Sequence, residues 1–157
     1  MDDARRGPVA DPDGMAESRR DTVSLLGLLV IVAGAVLVVA GVVTWATISS
    51  TLASQQITVS EDAAYFAGQH VDQPWEAYAE AKVIAEHAGE IADGKTYAQL
   101  ARDDPNRETV MDASFLQASL FTSVVAFGVA ALAAGIGIVF VLIGASLRRV
   151  APVSPAP

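Results

Sequence analysis

Residues 23–48, VSLLGLLVIVAGAVLVVAGVVTWATI, and residues 121–144, FTSVVAFGVAALAAGIGIVFVLIG, decide the fold of this chain. Neither stretch contains an ionisable side chain. No charge occurs between Asp21 and Glu61, and none between Asp112 and Arg148. A helix needs about 20 apolar residues to cross a bilayer, and both stretches exceed that length. The expected fold is therefore an all-α membrane protein, with two transmembrane helices and a small helical extracytoplasmic domain between them.

Composition follows from these two stretches. The 157 residues are 52% hydrophobic and only 18% charged, against an ordinary charged share of about 25%. The net charge of −8 is unevenly spread: residues 50–112 hold twelve acids and four bases, while Arg148 and Arg149 make the C-terminal end positive. Such an acidic chain cannot neutralise a run of phosphates, so nucleic acid is not an expected partner. The chain has no Cys, which removes disulfides, thiolate nucleophiles and Cys-based metal centres.

The sequence divides at its charge boundaries. Residues 1–21 mix Pro, Gly and charges without apolar periodicity and read as a disordered cytoplasmic tail. Asp11-Pro12-Asp13-Gly14 reads as a turn within it, because the later acidic ligands of a calcium loop are missing. Residues 22–48 form the first span. Its apolar run is longer than the roughly 7–15 residues of a signal peptide and its leader is net acidic, so it reads as an uncleaved anchor. Residues 49–112 form the acidic domain. Residues 113–147 form the second span, on a helix expected to begin near residue 105. Residues 148–157 form a short tail too Pro-rich for regular structure.

Orientation follows from basic residues near the membrane ends. Arg19 and Arg20 flank the first span, and Arg148 and Arg149 flank the second. The positive-inside rule puts both termini in the cytoplasm and residues 50–112 outside, with the plasma membrane as the expected location.

Local signals organise the outer segment. Ser60 ahead of Glu61-Asp62 predicts an N-cap for a short helix ending at Gly68. Asp72 and Pro74 open a stronger helix closed by Gly94. Its expected apolar face is Ala77, Ala81, Ile84, Ala88 and Ile91. Thr96 and Gln99 match a capping box. Asp104-Pro105 begins the helix that runs into the second span.

Candidate chemistry is sparse. An ion or proton path usually needs an ionisable group at mid-bilayer depth, and neither span has one. Thr122, Ser123 and Ser146 lie near the span ends. The second span is rich in small residues at four-residue spacing: Ala126, Ala130 and Ala134, Ala131 with Gly135, and Ala133 with Gly137. Such spacing lets helix backbones approach closely. The partner is either the first span, where Gly27, Gly34 and Gly41 recur every seven residues, or a helix of another protein. The metal candidates are His70, His87 and Glu90, a two-histidine, one-carboxylate set suited to non-haem iron. Their sequence spacing matches no recognised motif, and there is no HExxH or G-x-S-x-G. Trp75 and Tyr78 beside Pro74 read as an apolar anchor for a partner or the bilayer surface, or as part of a small core.

ITVSEDAAYFAG (57–68), VDQPWEAYAEAKVIAEHA (71–88) and GKTYAQLARDDPNRETVMDASFLQASLFTSVVAFGVAALAAGIGIV (94–139) together resemble a family of small actinobacterial membrane proteins. Its members commonly carry the label "aromatic ring-opening dioxygenase LigA", and the resemblance covers roughly residues 44–149. The label implies an iron-dependent extradiol dioxygenase. No segment matches an iron-ligand triad residue by residue, so the resemblance carries over no catalytic residue.

The expected function is non-catalytic. The protein reads as an interaction or accessory subunit of a membrane or envelope complex, with the lipid bilayer and a membrane-protein partner or second copy as its contacts. No cofactor is expected. The alternative is the dioxygenase, with iron.

Overall fold

The computed structural model describes residues 12–150. Helix α1 spans Pro12–Ser54, α2 spans Pro74–Ile91, a 3₁₀ turn covers Tyr97–Gln99, and α3 spans Arg107–Val150. Among the described residues the only β feature is a single antiparallel bridge, Thr58 to His70. Two segments are long and apolar enough to cross a membrane, Thr22–Ser54 and Arg107–Arg149.

Only 17% of the most apolar window of each segment is buried. A core helix of a soluble protein would hide most of that surface. Here Leu25, Leu29, Val36 and Val43 on α1 are more than half exposed, as are Val125, Val129, Leu132 and Leu142 on α3. Apolar surface on this scale marks an interaction or membrane face. The hydroxyls within the apolar segments suit such surroundings. Thr47, Thr122, Ser123 and Ser146 each donate to the carbonyl four residues earlier, at 2.8, 2.8, 3.2 and 2.9 Å. This back-bonding satisfies a donor that lipid could not.

The expected tail needs correction. Residues 12–21 are helical, and α1 is continuous from Pro12. Proline suits the first helical position because its missing N–H has no intrahelical partner there, and extending a formed helix needs no new nucleus. The expectation for residues 1–11 and 151–157 lies outside the described residues.

The chain divides into two compact units, Met1–Val39 with Gly135–Pro157, and Ala40–Ala134. In the first, α1 and α3 meet backbone to backbone. A methyl carbon at Gly34 would lie 2.5 Å from the Gly137 carbonyl oxygen, and one at Gly144 would lie 2.5 Å from that of Gly27. Only glycine allows this approach, as small residues do generally between apolar helices.

In the second unit, Gly41 meets Ala130 and Ala134 in the same manner. Its core joins Leu52, Val59, Val71, Ala77, Ala81, Leu120 and Phe127. Trp45 sets its ring edge-on to Phe127, with centroids 4.7 Å apart. Its indole N–H donates to Gln73 Oε1 at 3.1 Å, and the Gln73 amide donates to Ser49 Oγ at 3.2 Å. Gln73 caps α2, and Glu76 reaches back to accept from the Gln73 N–H at 2.8 Å. Gly94, at φ 76°, ends the helix region by donating its N–H to the Gly89 carbonyl at 2.7 Å. A left-handed residue here is the usual glycine exit.

A smaller cluster joins Ala92, Leu100 and Val110. Beside it the Arg107 guanidinium lies 4.1 Å from the Tyr97 ring centre and donates to the carbonyls of Tyr97 and Leu100. Asn106 donates to the Ile91 carbonyl at 3.0 Å, tying the start of α3 to the end of α2.

Candidate functional site

The segment between α1 and α2 determines what α2 presents. Val59 N–H donates to the Gln69 carbonyl, Gly68 N–H to the Val59 carbonyl, and Val71 N–H to the Ile57 carbonyl, all at 2.9 Å. The segment therefore folds back on itself, with Val59 and Val71 fully buried.

No helix forms at 60–68, contrary to the expectation from Ser60. The Ser60 N–H donates to Glu80 Oε2 at 2.7 Å and its hydroxyl to Glu80 Oε1 at 3.1 Å. A carboxylate twenty residues away thus takes the groups that a local cap would have used. The buried side of α2 shifts accordingly. It contains Glu76, Ala77, Glu80, Ala81 and Val83, while Ile91 lies exposed. Among the described residues no buried side-chain nitrogen or oxygen lacks a hydrogen-bond partner.

The folded-back segment and α2 enclose an apolar cleft of about 320 Å³. Tyr65 and Phe66 line one side, and Trp75, Tyr78, Lys82 and Glu86 line the other. Ligand pockets typically start near 300 Å³. The aromatic rings are held in place. The Trp75 indole N–H donates to Glu76 Oε1 at 2.7 Å, and the Tyr78 ring packs edge-on to Phe121 at 5.8 Å. Phe66 sits at φ 63°, a left-handed conformation costing a non-glycine residue roughly 1–2 kcal/mol. Such strain is retained where surrounding contacts impose it. The two aromatics singled out from sequence, Trp75 and Tyr78, both belong to this cleft. Tyr65 and Phe66 carry no local signal and join it only through the loop path.

The metal candidates are not assembled. His87 Nε2 lies 2.6 Å from Asp62 Oδ2. That hydrogen bond and the carboxylate charge raise the His87 pKa, and the same hydrogen bond lowers that of Asp62. His70 lies in the bridge with Thr58, and Glu90 is exposed. Among the described residues no group of three His, Asp or Glu side chains is placed to hold a metal ion. The His70, His87 and Glu90 set is thus not brought together, because Asp62 engages His87 and the bridge holds His70.

The small residues of α3 fall on two sides. In the unit Ala40–Ala134, Ala130 is buried and, with Ala134, meets Gly41, and Ala126 is half-buried. Ala131 in that unit is exposed, and Gly128 has nothing within 4 Å of an added methyl carbon. In the other unit Gly137 meets Gly34 and Val38, while Gly135 has nothing within 4 Å.

The fold and sites define a helical protein with two membrane-length apolar helices and a pre-formed aromatic cleft. Compared with protein-family models, curated proteins and solved structures, the chain matches none.

Proposed function

We propose that the protein is a two-pass plasma-membrane protein that acts without catalysis, as an interaction or accessory subunit of a membrane complex. Both termini are cytoplasmic, and residues 50–112 form the extracytoplasmic domain. Support for insertion comes from the exposed apolar surface of α1 and α3. Support for orientation comes from the arginines that flank both spans. The single observation that carries the interaction reading is the set of small residues left open on α3. In the unit Ala40–Ala134 a methyl carbon added at Gly128 has nothing within 4 Å and Ala131 is exposed, and in the other unit the same holds for a methyl carbon at Gly135, whereas Ala130, Ala134 and Gly137 meet glycines of α1. In lipid, open small positions favour close approach of another helix.

Gly135→Leu tests this reading, because a carbon added at the Cβ position meets no atom of its own chain within 4 Å. Affinity purification from native membranes in mild detergent, with mass spectrometry, should show a stoichiometric membrane partner or second copy that the variant loses. Identical composition and particle size for wild type and variant would contradict the interaction role.

A further inference from the structure

From the lining of the aromatic cleft, we infer that it holds a zwitterionic phospholipid drawn from the adjoining leaflet. The inference rests on the reading that the two apolar helices cross a bilayer. Three observations carry it.

The first is position. Tyr78 lies against Phe121, a residue of the uncharged stretch of α3, and Gln73 at the start of α2 is bonded to Trp45 at the end of the α1 apolar stretch. The start of α2 therefore adjoins the end of the α1 apolar segment, and its Tyr78 adjoins that of α3. Tyrosine and tryptophan favour this boundary, with an apolar body and a polar edge.

The second is charge. Lys82 and Glu86 both line the cleft. They stand one helical turn apart, with roughly 5–6 Å between their Cβ atoms. Neither side chain takes part in a hydrogen bond or ion pair among the described residues. One unpaired cation and one unpaired anion at that separation match the phosphate and ammonium of a zwitterionic headgroup. Trp75 and Tyr78, which line the same cleft, offer aromatic rings that attract an ammonium. An anionic lipid would satisfy Lys82 and leave Glu86 opposed by like charge.

The third is pre-organisation. Glu80 clamps Ser60, Glu76 fixes Trp75, and the loop holds Phe66 in a left-handed conformation. These contacts within the chain fix the walls of the cleft, so little ordering cost is left for binding.

Brominated acyl chains quench tryptophan on contact, and the chain has only two Trp. Full-length Trp45→Phe leaves Trp75 as the reporter of the cleft. Full-length Trp75→Phe leaves Trp45 as the reporter of the span. Each is reconstituted into phosphatidylglycerol vesicles doped with either brominated phosphatidylethanolamine or brominated phosphatidylglycerol. Trp75 should reach half-quenching at about a tenfold lower mole fraction of the ethanolamine lipid, as expected for one added charge-assisted contact. Glu86→Gln should abolish that preference, and Lys82→Gln should reduce quenching by both lipids.

Trp45 should be quenched equally by both. Equal quenching of Trp75 by the two lipids, with Trp45 quenched normally, overturns the cleft assignment and leaves insertion intact. Absence of quenching at Trp45 overturns insertion itself. Native mass spectrometry of the unsubstituted chain supplies an independent count. Retained phosphatidylethanolamine in excess over phosphatidylglycerol supports the assignment, and equal retention contradicts it.

Discussion

Glu80 and Ser60, twenty residues apart, are joined by two hydrogen bonds to one buried carboxylate. This pair explains how a segment without regular structure holds a defined path over α2. It converts an expected local helix cap into a tertiary clamp. The clamp in turn brings Tyr65 and Phe66 opposite Trp75 and Tyr78.

Glu80→Ala should therefore loosen the folded-back segment. Hydrogen bonds to a charged group contribute roughly 1.5–3 kcal/mol each, so a local loss of about 2 kcal/mol is a modest expectation. That loss corresponds to a roughly 30-fold drop in protection from hydrogen exchange at Val59, Gly68 and Val71. Glu90→Ala, on the exposed side of α2, should leave those amides unchanged. Equal protection in the two variants would show that the clamp contributes nothing.

The glycines predict a contrast within one protein. A methyl group at Gly34 would meet the Gly137 carbonyl at 2.5 Å, whereas one at Gly135 meets nothing within 4 Å. Gly34→Ala must push two backbones apart and should destabilise the chain by about 1–3 kcal/mol. Gly135→Ala should be neutral or stabilising by up to about 1 kcal/mol, because alanine is the better helix former. Thermal unfolding of both variants in the same detergent reads the difference. A reversed order would contradict the close approach at Gly34.

The exposed Asp62–His87 pair predicts a pH window for the same segment. The His87 pKa is raised from 6.5 by its hydrogen bond to Asp62 and then by the carboxylate charge. Its contribution is full below 6.5 and is lost as the pH rises through the raised value. The Asp62 pKa is lowered from 3.8 by the hydrogen bond from His87. Its contribution holds above 3.8 and is lost as the pH falls through the lowered value. The pair is therefore strongest between about 3.8 and 6.5. An NMR titration should give His87 a midpoint above 6.5 that falls in Asp62→Asn, and a midpoint unmoved by that substitution would refute the pairing. Stoichiometric iron that is lost in His87→Ala would point to the dioxygenase alternative, and it would require His87 to leave Asp62.

The helices were legible because their cause is local. A long stretch without charge declares an apolar helix, and Pro74, Gly94 and the Thr96–Gln99 pair mark ends by chemistry acting over a few residues. The close approach of Gly27, Gly34 and Gly41 was visible as a seven-residue spacing, although the partner on α3 was not fixed by that spacing. The cleft was only half legible. Trp75 and Tyr78 share a helix, so their proximity follows from sequence. Tyr65 and Phe66 reach them through the contacts of Ser60 to Glu80 and of Asp62 to His87, each twenty or more residues away. Burial of Glu76 and Glu80 was equally hidden, since a carboxylate normally marks the solvated side of a helix. Its place inside depends on the backbone N–H and indole donors that surround it. The same long-range pairing took His87 away from the metal set that its sequence neighbours suggested.

Two helices crossing the membrane with residues 50–112 outside is a directly measurable arrangement, because the chain has no cysteine. Lys95→Cys and Ser154→Cys, each as the sole cysteine, can be treated in intact cells with a membrane-impermeant maleimide. Position 95 should be labelled in intact cells, and position 154 only after permeabilisation. Protection of position 95 with labelling of 154 would reverse the topology. Recovery of both variants in the soluble fraction would contradict membrane insertion altogether.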